Sequence, residues 1–356
     1  METNEEEKIL YSSFNNDNSC FYIGTTKGFR IYNSYPLKCV IKRDINGGVS
    51  VIEVLNRCNV FAFVGTGNNI KYAQNKVILW DEQSSKVINE LILRYTIKKV
   101  KLKRTKIFVI CENNIIVFSL GNYEKIDSIK TFPNRNGIFG ISLDPKTNII
   151  SYPSIDKGKI IIKNYDEKKK DDNYITNEIN AHNSEIVALI MNYDGSLVAS
   201  ASIKGTIIRI FKTNNGDIIQ ELRRGTESAE IYCLNFDFHS MNIACSSNKG
   251  TVHIFNIKNE NTNENDLKNQ KSFFGNVVSY IGLKNEYLNS EWSFSKYRLP
   301  NKEKNIIGFN IKSEDSIFVV TLSGKYFHGK FDAKIVGECE TSSEEDILQM
   351  EVEKNK

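Results

Sequence analysis

Arg223 and Arg224, in the run Leu222-Arg223-Arg224-Gly225-Thr226 between Glu221 and Glu227, are the residues whose types and spacing most invite chemistry. Each guanidinium presents a planar fork of donors that matches phosphate oxygens. Gly225 lets the backbone turn without a Cβ. Neighbouring side chains of an extended strand point to opposite faces, so the two arginines serve two sites rather than one pocket. The other reading is a solvated surface pair balanced by the flanking glutamates, which carries little energy. A catalytic set is not visible elsewhere: the chain has no G-x-S-x-G elbow, P-loop, H-E-x-x-H or dinucleotide fingerprint. Gly65-Thr66-Gly67 reads as a hairpin turn. Seven cysteines and four histidines are scattered without a C-x-x-C pair, so neither disulfides nor a metal organise the fold. We expect no enzyme and no cofactor.

The elements that position the arginine pair form a repeat. A small or apolar strand, a polar turn often containing Lys-Gly, and an alternating strand ending near an aromatic recur at 23–32, 64–80, 109–118, 151–165, 200–211, 245–255 and 319–327. Turn glycines at Gly158, Gly205 and Gly250 lie 47 and 45 residues apart, close to the roughly 40 to 45 of a four-stranded propeller blade. Alternation as in Thr206 to Phe211, with turn signals at Asp194-Gly195 and Asn215-Gly216, predicts strands throughout. The expected fold is all-β, a seven-bladed β-propeller of WD-type repeats.

The 356 residues are 40% hydrophobic and 25% charged, as in a folded domain. Forty-seven Lys and Arg against 43 Asp and Glu leave a net charge of +4, too small to coat nucleic acid, so an anionic partner must be met locally. No apolar run reaches the roughly 18 to 20 residues of a spanning helix, and the acidic start lacks a signal-peptide pattern, which predicts a cytosolic protein. One propeller is expected over 9–340, preceded by a disordered acidic stretch at 1–8. An acidic tail at 341–356, either a short helix or disordered, follows it. Gly250 to Gly324 spans 74 residues, so blade six must carry an insertion, at about 258–291.

The run LRRGTESAEIYCLNF, followed by ACSSNKGTVHIF, resembles the signature of the PROPPIN family, the WIPI-type seven-bladed propellers that bind phosphoinositides. Leu222 stands where the family's motif usually begins with Phe; both arginines are kept. The similarity is strong over about 180–300 and rests on blade rhythm in the amino-terminal half. It implies two headgroup sites on the ring's rim, one on either side of the arginine pair, for phosphatidylinositol 3-phosphate and 3,5-bisphosphate. The first matches His182, Ser202, Thr206, Arg209 and Arg223; the second matches Arg224, Thr226, Ser246, Ser247, Thr251 and His253. Each has a bland reading too: His182 ties strands together, and the serines are small strand residues. The resemblance also implies recruitment to phosphoinositide-bearing membranes in autophagy-type or endolysosomal traffic, with autophagy-type protein partners. We expect a monomer in solution. The competing expectation is a WD-type scaffold that binds only polypeptides, for which the basic run Lys98, Lys99, Lys101, Lys103, Arg104 and Lys106 offers either an acidic-helix contact or a solvated strand face.

Within the insertion, Phe273, Phe274, Val277, Val278 and Ile281 share one face at helical spacing. Such a face either packs on the propeller flank or lies in a bilayer interface beside Lys268, Lys271 and Lys284. The family resemblance implies the second, because the corresponding loop of its members inserts into membranes.

Overall fold

The computed structural model describes residues 6–55, 58–165, 176–258, 268–271, 290–313 and 315–352. Among these residues the strands form seven sheets, each with four strands laid down in chain order, and two of the sheets carry short additional strands. Every one of the seven repeats falls on the second and third strands of a sheet. The chain divides into two compact units. One holds Met1–Gly137, Phe318–Phe327 and Glu344–Lys356, the other Ile138–Ile317 and His328–Ser343.

In the first unit, three sheets run from Ile9–Phe14 to Lys38–Asp44, from Val49–Val54 to Lys86–Ile92, and from Ile97–Leu102 to Lys125–Lys130. Tyr22 and Phe29 of the first pack with Ile52 and Phe63 of the second. On its other face the second sheet packs Val64 and Leu79 against Val100 and Val109 of the third. A sheet covered on both faces makes its inner strands continuously apolar: Lys106–Cys111 is buried at every position, whereas the outer strand Lys125–Lys130 is mostly exposed.

In the second unit the fourth sheet runs from Gly140–Ile141 to Thr176–Asn180. The fifth comprises Ile186–Met191, Leu197–Ser202, Ile207–Lys212 and Ile218–Arg223, and the sixth comprises Ile231–Phe236, Asn242–Ser247, Thr251–Asn256 and Ser295–Arg298. One face of the fifth meets the fourth through Val198 and Phe211, packed on Ile160 and Ile179. Its other face meets the sixth through Ile208 and Leu222, packed on Cys245 and Phe255. The long insertion joins the third and fourth strands of the sixth sheet. It returns through Glu291–Trp292, which pairs in parallel with Leu222 and Arg223 of the fifth sheet and antiparallel with Gln270–Lys271.

The seventh sheet comprises Asn305–Phe309, Ser316–Thr321, Lys325–Lys330 and Glu340–Asp346. The last of these corrects the expected tail at 341–356: it is a fourth strand, followed by a 3-10 turn in which Ile347 is fully buried. The tail reading failed because a fourth strand lies outermost, where acidic and hydroxyl side chains meet water and leave no apolar alternation. The amino-terminal stretch is corrected in part. Glu7 is ion-paired with buried Arg30, and the Lys8 amide donates to Thr26 Oγ1 at 3.2 Å, while residues 1–5 lie outside the described residues. The repeats are also not of WD type. Trp80-Asp81 is the one Trp-Asp dipeptide in the chain, and the corresponding strands of the fifth and sixth sheets close on Phe211-Lys212 and Phe255-Asn256.

Candidate functional site

The strand Ile218–Arg223 carries Glu221 and Arg223 on one face and Leu222 on the other, with Arg224 next in the alternation. Arg209 lies opposite Glu221 in the ladder, on the face toward the fourth sheet. Its Nε donates to Glu221 Oε2 at 2.9 Å and its Nη1 to the Ala181 carbonyl at 2.8 Å. His182 follows, with Nε2 3.0 Å from Ser200 Oγ. Burial, helped by the Arg209 charge, pushes its pKa down to about 4, so the imidazole is neutral near pH 7. Ser202 is buried, and its carbonyl accepts the Gly205 amide at 2.8 Å. Gly205 has φ +61°, and a Cβ there would stand 1.9 Å from the Ala229 carbonyl oxygen, so this turn requires glycine. Thr206 accepts the Arg224 amide at its carbonyl, 3.0 Å away. Arg223 is 5% exposed, and its Nε donates to Ser290 Oγ at 2.7 Å.

Arg224 is 4% exposed. Its Nε donates to the Gly205 carbonyl at 2.8 Å and its Nη2 to the Glu227 carbonyl. Among the described residues it bonds to no carboxylate, because Glu227 Oε2 is 2.7 Å from Lys249 Nζ instead. Burial pushes the guanidinium pKa below its ordinary value. Across from it, on the sixth sheet, His253 pairs with Cys245 in the ladder and sets Nδ1 3.0 Å from Ser293 Oγ. Burial, then the charges of Lys296 and Arg224, push the His253 pKa down to about 3. Ser247 and Thr251 flank the Gly250 turn on that same face by alternation.

Several expectations change here. The arginines are not solvent-facing rim charges: both side chains are buried and tied to the fold. Ser246 alternates to the other face of its strand, where its buried Oγ has no hydrogen-bond partner. Gly225 has no left-handed φ, and a Cβ on it would meet nothing within 4 Å, so its backbone does not require glycine; it leaves open space beside Arg224. Thr226 is exposed at the same turn. Sequence reasoning missed Ser200, Ser290 and Ser293. Ser200 is one alternation step from Ser202, a readable signal, but Ser290 and Ser293 arrive at and just past the far end of the insertion and carry none.

The insertion opens and closes on a polar clasp. Glu291 Oε2 accepts from Gln220 Nε2 at 2.7 Å and Asn269 Nδ2 at 2.9 Å, and its Oε1 lies 2.7 Å from Lys258 Nζ. Burial raises the Glu291 pKa, but these donors together outweigh it and leave the carboxyl below its ordinary value. Phe273, Phe274, Val277, Val278 and Ile281 lie outside the described residues. In the basic run of the third sheet, Lys101 pairs with buried Glu53 at 2.8 Å and Lys103 and Lys106 are buried, while Lys98 and Lys99 are half-buried and Arg104 is exposed. Among the described residues no cluster of His, Cys, Asp and Glu could hold a metal, and no helix is long and apolar enough to cross a membrane.

Autophagy-related protein 18e of Arabidopsis thaliana is 32% identical over 334 residues, covering 93% of this chain and 86% of its own. SVP1-like protein 2 of Saccharomyces cerevisiae is 32% identical over 331 residues, covering 83% and 74%. Kluyveromyces lactis Hsv2, solved with its complete loop 6CD, matches with a TM-score of 0.79 at 24% identity, over 96% of this chain and 100% of that one. That likeness shows the fold, an all-β, seven-bladed propeller. The PROPPIN family matches residues 9–344. From that span, and from relatives that agree along most of their length, it follows that the chain belongs to the PROPPIN family, the non-catalytic, phosphoinositide-binding membrane adaptors of autophagy.

Proposed function

We propose that the chain reads phosphatidylinositol 3-phosphate and 3,5-bisphosphate at two sites, one on each face of the strand that ends at Arg223. The observation that supports this most is Arg224, a buried cation bonded to carbonyl oxygens and to no carboxylate among the described residues. A desolvated guanidinium without an anion is costly, and a phosphate entering beside Gly225 supplies one. Arg224, Thr226, Ser247, Thr251 and His253 make the second site; Ser246 drops out by its orientation. His182, Ser202, Thr206, Arg209 and Arg223 make the first. A neutral imidazole still offers one N–H donor, so the low pKa of both histidines is compatible with phosphate recognition.

In this reading the insertion adds an apolar bilayer contact through Phe273, Phe274, Val277, Val278 and Ile281, and one buried Phe contributes on the order of 1.5 to 3 kcal/mol. Two modest headgroup affinities and one inserted loop on a single chain multiply through effective concentration. We read the protein as a monomer in solution, cytoplasmic until it meets its membrane. Polypeptide binding without lipid has no observation of comparable weight, since the basic run is largely engaged within the fold.

Vesicle flotation of the full chain tests the reading. Arg223→Gln with Arg224→Gln should abolish the binding that phosphatidylinositol 3-phosphate confers, and each single change should leave part of it. Unchanged flotation of the double variant would remove the basis for both sites; complete loss from either single change would favour one shared pocket.

A further inference from the structure

The connection between the third and fourth strands of the seventh sheet, residues 331–339, occupies the position that the insertion occupies in the sixth. Both connections end in the same way. Glu291–Trp292 pairs in parallel with the outer strand of the fifth sheet, and Gly337–Glu338 pairs in parallel with Ser295 and Lys296 of the outer strand of the sixth. The shorter one is pinned along its length. Phe331 is buried, with its ring in T-shaped contact with Phe294 at 6.0 Å. The Ile335 amide donates to the Asp332 carbonyl at 3.3 Å, the Gly337 amide to the Phe294 carbonyl at 3.0 Å, and the Cys339 amide to the Lys296 carbonyl at 2.8 Å. Between these ties Ile335 is 62% exposed and Val336 44% exposed. Two branched aliphatic side chains are therefore held in water by a loop that is not free to fold them away, at a cost the free protein carries.

Charges of both signs surround this loop, with Asp332, Glu338 and Glu340 exposed among the cations. Lys330 and Lys334 are exposed and Lys296 is half-buried; Arg298 is paired with Glu338 at 2.8 Å, and Asp332 Oδ1 accepts the Lys334 amide at 2.8 Å. We infer that Ile335 and Val336 form a second apolar contact with an anionic bilayer, beside the root of the insertion. The inference rests on the reading of the chain as a membrane adaptor. Two side chains are far too little for a protein interface, which takes roughly 800 Å² per partner. A bilayer asks only for an apolar tip at the boundary of headgroups and acyl chains, with lysines near anionic lipid. The chain leaving the insertion leads directly to Phe294, the residue on which Phe331 rests, so this tip stands beside the root of the insertion.

The test uses the full chain with phosphatidylcholine and phosphatidylserine vesicles carrying phosphatidylinositol 3-phosphate, and inositol 1,3-bisphosphate as soluble headgroup. Ile335→Ser with Val336→Ser should weaken vesicle binding on the order of tenfold, the scale of losing two partly inserted aliphatic side chains. Headgroup affinity and thermal midpoint should not move, and Ile335→Leu with Val336→Leu should restore vesicle binding. Wild-type-like vesicle binding by the serine variant overturns the inference and leaves the adaptor reading intact. A joint fall in vesicle and headgroup affinity overturns it as well, since the residues would then act through the fold. Wild-type protein that ignores these vesicles would remove the adaptor reading and the inference with it.

Discussion

Arg224 anchors its own turn while presenting charge to a ligand. Its donors hold the Gly205 and Glu227 carbonyls, and hydrogen bonds from a charged donor contribute about 1.5 to 3 kcal/mol. Arg224→Ala should therefore lower the free energy of unfolding by on the order of 2 kcal/mol in addition to impairing headgroup binding. A denaturant midpoint equal to wild type would contradict this. His182 and His253 give a pH dependence whose sign follows from their burial. The folded protein keeps them neutral down to about 4 and about 3, against an ordinary value of 6.5 in the unfolded chain. The unfolded state thus binds protons first: stability is complete above 6.5 and is lost as pH falls toward the folded values. The thermal midpoint should drop between about pH 7 and about pH 5.5, and His182→Asn with His253→Asn should flatten that drop. The arginine pair was legible in the sequence, and alternation is what assigns its two members to two faces. The burial of both side chains was not, because each is held in part by a group from outside the motif, Ser290 at Arg223 and the Gly205 carbonyl at Arg224.

At the scale of elements, hairpins were far more legible than outer strands. The second and third strands are buried on both faces and joined by short turns, so composition and turn glycines both report them; Glu340–Asp346 satisfies neither condition and read as tail. The insertion boundaries were legible because strand patterning stops at Ile257 and resumes at Trp292, yet the clasp was invisible, being Gln220, Lys258, Asn269 and Glu291 from four separate stretches. The clasp makes a prediction of its own. Glu291→Ala removes the acceptor shared by Gln220, Asn269 and Lys258, leaving buried donors unmatched. Trypsin should then cut within the insertion several-fold faster than in wild type, and an equal rate would show that the clasp does not restrain it.

For the whole molecule, the stretch expected to be an acidic tail is structural. The Tyr32 hydroxyl donates to the Ile347 carbonyl at 2.9 Å, Arg30 Nη1 to the Leu348 carbonyl at 2.8 Å, and Cys39 bridges to Val352. A chain stopped after Cys339 loses the fourth strand of the seventh sheet together with these ties. It should lose cooperative unfolding or aggregate on expression, whereas a soluble product with a wild-type thermal midpoint would refute the role assigned to that strand. The same ties set an order of events during synthesis. The first sheet leaves the ribosome before all the others, yet Arg30 and Tyr32 find their carbonyl partners only when residues 347 and 348 emerge. Until then the first sheet has its own four strands but not these partners, and that interval is one a chaperone can cover.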